Sequence, residues 1–277
     1  MTYPSLLVAV DDGSESDSRL ELACDLANVF NAHLTGLCAE SIAPPLYDPL
    51  MGGAMVGELL TAYRDAAQAG VERARTRFLD IVGPRDVDAE WRGQVGFPDE
   101  VVSRAARAAD LLILGGRNPR APYHAPDAAD VLMSCGRPVL VTPPSRVRNP
   151  FDEPALIAWK DCREARLALA GAIPLLRRAR GVTLYAVRAD EEEAESTARE
   201  LADVVQYLAR HDVAAEPVFA LGGETSTGRQ ILNEALARSA GLIVAGGYGH
   251  ARLREWALGG VTRELIADSP VCLCLAH

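Results

Sequence analysis

Near the carboxyl end the chain reads GGYGHARLREWALGGVTREL, with Gly246, Gly247 and Gly249 on one side of a charged stretch and Gly259 and Gly260 on the other. Glycine lets a backbone take positive φ and come close to a ligand. Amides at the start of a helix point outward toward an anion. Gly246 and Gly249 therefore suit a turn, while Gly259, Gly260 and Val261 would offer amides at the opening of a last helix, with His250 and Arg252 adding positive charge. The geometry suits a chain of phosphates. Spaced glycines serve equally for tight packing of a loop on a sheet, and both readings stand at this point.

Two other loops carry polar residues of a relevant kind. Trp159, Lys160 and Asp161 follow one short aliphatic run, and Asp11, Asp12, Gly13 and Ser14 follow another near the amino end. Catalysis would need more than this. The stretch VDDGSESDS lacks the double glycine and leading serine of an SGGxDS pyrophosphate loop, and GYGHAR has one histidine where a nucleotidyltransferase has an HxGH pair. A Walker A lysine-serine or lysine-threonine pair is also missing. Hydrolysis or phosphoryl transfer requires a held metal and an activated nucleophile, and these loops place no acid to bind Mg2+. The residues point to binding without efficient turnover.

Such loops must be positioned by strands, and the chain supplies them twice. FPDEVVSRAARAADLLILGGRNPR in the first half lines up with STGRQILNEALARSAGLIVAGGYGHAR in the second: an amphipathic helix, an aliphatic strand, then a glycine pair. The openings and the terminal strands, GRPVLVTPP and DSPVCLCLAH, correspond as well. Repetition of this kind marks two copies of one structural unit. Aliphatic runs alternate with helical ones, the pattern of a parallel sheet covered on both faces. The spacing predicts strands over 6–10, 33–38, 87–94, 111–114 and 139–141, then over 156–159, 182–187, 214–220, 242–245 and 271–275. The expected architecture is two tandem α/β domains, 1–145 and 152–277, each a five-stranded parallel sheet of order 3-2-1-4-5 with helices on both faces. In that order the ligand crevice lies between the first and fourth strands, beyond their carboxyl ends. The loops after those two strands, carrying Trp159–Asp161 and Gly246 onward, therefore meet. After its second strand the first half inserts SIAPPLYDPLMGG, a lid or a plain crossover, before a helix expected from about residue 55 to 82.

Composition narrows the classes further. A chain of 277 residues with net charge −10 has no basic run, which argues against a general nucleic-acid footprint. No stretch approaches the roughly 18 uninterrupted apolar residues of a membrane span, and the start lacks a basic leader, so the expectation is a cytoplasmic protein without membrane partners. The six cysteines form no CxxC pair, and Cys272 and Cys274 alternate on one face of a terminal strand as small core hydrophobes. No metal site is expected.

The string Gly246-x-x-Gly249, nine residues, Gly259, then Gly260-Val261-Thr262 resembles the nucleotide motif of the universal stress proteins, and the whole chain is similar to a tandem member of that family. The resemblance implies a Rossmann-like fold of the HUP, or adenine nucleotide alpha hydrolase-like, type. It implies an ATP or related adenine nucleotide with the base near Trp159, Lys160 and the backbone of Val187. The phosphates would lie against Gly246, Gly249, His250, Gly259, Gly260 and Val261. Two positions depart from the family pattern: Gly260 stands where a serine or threonine is usual, and Lys160 where an aspartate faces the adenine edge. The first half keeps that aspartate as Asp11 but loses the second glycine and the distal pair, so Asp11 marks a degenerate site or caps the following helix. The first half is expected to bind nucleotide poorly or not at all. The resemblance further implies a regulatory or stress-response protein, not an enzyme, with weak ATPase activity and a purely structural or interaction role as alternatives. It also implies an intramolecular pseudo-dimer of the two halves, with a homodimer as a further option.

Overall fold

The computed structural model describes residues 2–42, 53–116, 124–144, 151, 153–188, 194–248 and 260–277. The predicted loop insertion is largely outside this range, as are Gly249, His250, Arg252 and Gly259. All ten predicted strands are present, with ends displaced by no more than two residues: β1 Ser5–Ala9, β2 His33–Glu40, β3 Ala89–Val95, β4 Leu111–Gly115, β5 Val139–Thr142, β6 Ala155–Trp159, β7 Val182–Arg188, β8 Ala215–Leu221, β9 Leu242–Gly246 and β10 Cys272–Ala276. Between them run α1 Glu15–Phe30, α2 Gly53–Val82, α3 Pro98–Ala105, α4 Ala128–Cys135, α5 Arg163–Leu176, α6 Ala194–Ala209, α7 Thr227–Ala237 and α8 Gly260–Asp268.

Packing groups these elements into two compact units, Pro4–Cys135 and the segment Gly136–His277 together with the first three residues. In the first unit the strand order is β3-β2-β1-β4, all parallel. In the second it is β5-β10-β9-β6-β7-β8, parallel throughout except for β5, which runs antiparallel to β10. The packing unit and the sequence repeat are thus different divisions of the chain. Compact packing puts β5 beside β10, where Leu140 pairs with Cys274, although in sequence β5 closes the first repeat.

Burial on both faces explains the unbroken aliphatic strands. Leu6, Leu111, Leu112 and Ile113 in one unit and Leu156, Leu242 and Ile243 in the other have no solvent exposure, and each such side chain contributes about 1.5–3 kcal/mol by leaving water. Cys272 and Cys274 sit in the same layer, where burial pushes both thiols up to about 12. The helices start and stop on local signals. Pro98 opens α3 in the first turn, Ser226 accepts the Arg229 amide at 3.1 Å to cap α7, and Asn31 ends α1 with φ of 50°.

Candidate functional site

Strand register shows which residues of the two halves are equivalent. Leu6 of β1 pairs with Leu111 of β4, and Ala155 of β6 with Leu242 of β9; each fourth strand then ends four residues on, at Gly115 and Gly246. Counting from these anchors sets Val10 against Trp159, Asp11 against Lys160 and Arg19 against Ala168. The same count along the second strands, from Leu34 and Val182, sets Glu40 against Arg188. The two crevices can therefore be compared residue by residue.

In the first half the crevice is filled from within. Arg19, on the inner face of α1 and only 3% exposed, donates from Nε to the Ala9 carbonyl at 2.8 Å. Its Nη2 donates to Asp11 Oδ2 and to the Ser16 hydroxyl, both at 2.6 Å. A Cβ built on Gly115 would strike the Arg19 guanidinium, so the glycine after β4 makes room for this arginine. The other carboxylate oxygen of Asp11 accepts the Gly13 amide at 2.8 Å, closing the turn before α1. Asp11 does not cap the helix, whose N-cap is Ser14, without a side-chain cap bond. What remains between Asp11, Gly13, Arg19, Gly115 and Pro126 is a cavity of about 160 Å³, below the roughly 300 Å³ at which ligand pockets begin. Beside it Glu40, 1% exposed, bonds His124 from the segment after β4. Burial pushes the Glu40 carboxyl above its usual range, against the opposing pull of that His124 bond.

Among the described residues of the second half no arginine fills the corresponding place. Ala168 is fully buried on α5, and Lys160 is exposed at the end of β6. Gly246 is required by packing: a Cβ there would lie 2.6 Å from the Ala165 amide nitrogen and 2.9 Å from the Glu164 carbonyl carbon. The backbone leaving β9 is then pinned. The Gly247 amide donates to the Ala276 carbonyl at 2.8 Å, and Tyr248, with φ of 58°, gives its amide to the Thr262 hydroxyl at 3.1 Å. Thr262 was not among the predicted site residues. Its hydroxyl oxygen accepts from the loop while the side chain is buried, 4% exposed, one residue past Val261. Gly260 and Val261 form the first turn of α8, and a Cβ at Gly260 would touch nothing within 4 Å.

Sequence reasoning also missed Arg188, one residue past Val187 at the end of β7. Thr183, on the same strand, accepts a hydrogen bond from Arg238 just past α7. Arg188 has the opposite parity and so lies on the α5/α6 face. Its guanidinium stacks over the Phe219 ring at 4.6 Å, a contact of about 0.5–1 kcal/mol at such a partly exposed site. Trp159, 8% exposed, pairs in register with Ala186 and shares that face. It floors a cavity of about 390 Å³ between α5 and α6, walled by Leu169, Val204 and Tyr207 with Glu200 and Asp203 also lining it. At the corresponding place in the first half, Arg77 of α2 pairs with Asp17 of α1. Among the described residues no group of three His, Cys, Asp or Glu could hold a metal, and no helix is long and apolar enough to cross a membrane.

No protein-family model and no curated protein sequence matches the chain. Solved structures do. A universal stress protein from Archaeoglobus fulgidus DSM 4304 superposes with a TM-score of 0.68 at 16% identity, covering 98% of this chain and 95% of that one. A functionally unknown protein from Pseudomonas aeruginosa PAO1 superposes at 0.58 and 16% identity, with 99% and 92% covered. A shorter universal stress protein from Archaeoglobus fulgidus in complex with dAMP spans 45% of this chain and 98% of its own at 20% identity; its TM-score of 0.36 is too low to inform the site. The architecture is an α/β fold of mostly parallel sheet. It is the fold of a universal stress protein in tandem form, with two repeats in one chain.

Proposed function

We propose that the chain is a tandem member of the universal stress protein family whose second half binds an adenine nucleotide and whose first half does not. The reading rests on one observation: the buried Arg19 that occupies the first crevice has Ala168 as its counterpart in the second. Nucleotide binding there uses the amides of Gly260 and Val261, the turn at Gly246 and Gly249, His250 and Gly259 on the phosphates, and Trp159, Lys160 and the Val187 backbone on the base. Among the described residues of these loops nothing activates a nucleophile, and the proposed role is regulatory, with occupancy altering a surface read by a protein partner in the cytoplasm. The ligand is ATP or a relative.

Calorimetry with ATP, ADP and AMP tests this reading. Gly249→Val is expected to weaken binding. Gly260→Ser restores a hydroxyl donor where a Cβ meets no obstacle, and is expected to tighten ATP binding roughly 2–10-fold, the worth of one neutral hydrogen bond. No heat with any of the three at millimolar concentration overturns the proposal. A second reading, an interaction protein whose glycines only set backbone geometry, is favoured by the close approach of Gly246 to the α5 backbone. It predicts a protein that purifies empty by mass spectrometry.

A further inference from the structure

Among the described residues, three buried side-chain polar atoms have no hydrogen-bond partner: Trp159 Nε1 and the Nε and Nη1 of Arg188. All three are N–H donors. Trp159 faces Ala186 in register, and Arg188 lies two residues beyond Ala186 on the same face of the next strand, so the two side chains are neighbours at the carboxyl edge of β6 and β7. Chance does not readily leave the orphan donors of a well-satisfied fold side by side, because each buried N–H without an acceptor is a cost to folding. Phe219 supplies Arg188 with a ring face at 4.6 Å but no acceptor. In the first half the corresponding side chains are satisfied otherwise, by an apolar Val10 and by Glu40 bonded to His124.

We infer that Arg188, with the Trp159 indole, receives an anionic acceptor group of the ligand of the second half. A group that meets donors alone, one of them permanently charged, is itself acceptor-only and negative: phosphoryl or carboxylate oxygen. The cavity of about 390 Å³ that Trp159 lines also holds Arg166, paired with Asp161, and the exposed carboxylates of Glu200 and Asp203; the unpaired acids oppose a run of negative charge, so a single anionic group is favoured over a polyphosphate there. Resting on the nucleotide reading above for its ligand class but not for its orientation, the inference turns the nucleotide round, with a single phosphoryl group on Arg188 and Trp159 and not on the glycine turn, and makes a nucleoside monophosphate the preferred ligand and Arg188 the residue that selects it over the nucleoside.

The test is calorimetric titration of the wild type, Arg188→Gln and Arg188→Lys with AMP, adenosine, inorganic phosphate and acetate. The wild type is expected to bind AMP at least about 10-fold more tightly than adenosine, as befits a charged hydrogen bond. That ratio falls to near one in Arg188→Gln and is partly kept in Arg188→Lys. The thermal midpoint of unliganded Arg188→Gln is expected at or above that of the wild type, since an orphaned cation is removed. A lowered midpoint together with an unchanged ratio marks a structural arginine and overturns the inference, leaving the nucleotide reading intact. Phosphate bound by the wild type and lost in Arg188→Gln, with no uptake of adenosine, upholds the inference and removes the nucleotide reading. Acetate binding that matches phosphate assigns the group as a carboxylate. A wild type that binds none of AMP, phosphate or acetate overturns both.

Discussion

The two crevices descend from one pattern and are filled by opposite means. In the first, Arg19 reaches from α1 to Asp11, Ser16 and the Ala9 carbonyl, so the space beyond the strands is taken up by the chain's own cation. In the second, the matching positions are Ala168 and Lys160, and the buried donors nearby, on Trp159 and Arg188, are left without acceptors. A satisfied polar network is a structural element, whereas unsatisfied donors beside free volume call for a partner. The difference lies in three or four side chains on a shared backbone.

Removing the internal cation should have the largest effect. Arg19→Ala leaves the part-buried Asp11 carboxylate without its counter-charge and is expected to cost about 3–5 kcal/mol in urea unfolding of the first unit, with nucleotide affinity unchanged. A gain of a second equivalent of bound AMP would instead show that the first crevice was merely plugged, and the contrast between the halves would fail. The paired glycines come next. At Gly246 an added methyl meets the α5 backbone, whereas at Gly115 it meets the movable end of Arg19. Gly246→Ala should therefore cost about 1–3 kcal/mol of stability by overpacking and Gly115→Ala clearly less; equal costs would remove the distinction.

Transplanting the plug is a sharper test of function. Ala168→Arg with Lys160→Asp rebuilds the first-half pair in the second half and is expected to weaken AMP binding about 10-fold or more, roughly 1.4 kcal/mol. Unchanged affinity would mean that the ligand lies elsewhere. The smallest expected effect concerns Glu40 and Arg188, the acid and base at equivalent strand ends. Because burial raises the Glu40 carboxyl, the folded state holds its proton more tightly than the unfolded state does. Its stabilising contribution is full below the ordinary glutamate value and is lost as pH rises through the raised one. Glu40→Gln should flatten that decline in thermal midpoint above about pH 4.3, while Arg188→Gln should leave the slope unchanged; parallel curves for wild type and Glu40→Gln would remove Glu40 from the account.

Much of this was legible before any coordinates. The ten strands were found within two residues because full burial on both faces demands unbroken aliphatic runs, and LLIL at 111–114 and LIVA at 242–245 carry no competing signal. Asp11 stands out in the sequence as an acid just past the first strand, whereas its partner does not. Arg19 lies on α1 among Leu20, Leu22 and Leu26, where a lone arginine reads as a solvated helix residue; its burial follows from the α1 packing that aims it at the strand ends. Arg188 gives no stronger signal, since a charge after Val187 reads as the exposed end of a strand. The nearest signal was the exchange of Glu40 for Arg188 between repeats, which gains meaning once register makes the two positions equivalent.

The sequence by itself determined the repeat, the order of strands and helices and the glycine turns, because these depend on local periodicity and on backbone freedom. Tertiary structure decided which polar side chains are satisfied. It put Arg19 against Asp11 across eight residues of chain, committed the Thr262 hydroxyl to the Tyr248 amide, and left Trp159 and Arg188 with donors unused. Hydrogen bonds between residues distant in sequence depend on how strands and helices pack, and a linear pattern carries the donors and acceptors without saying which of them will meet.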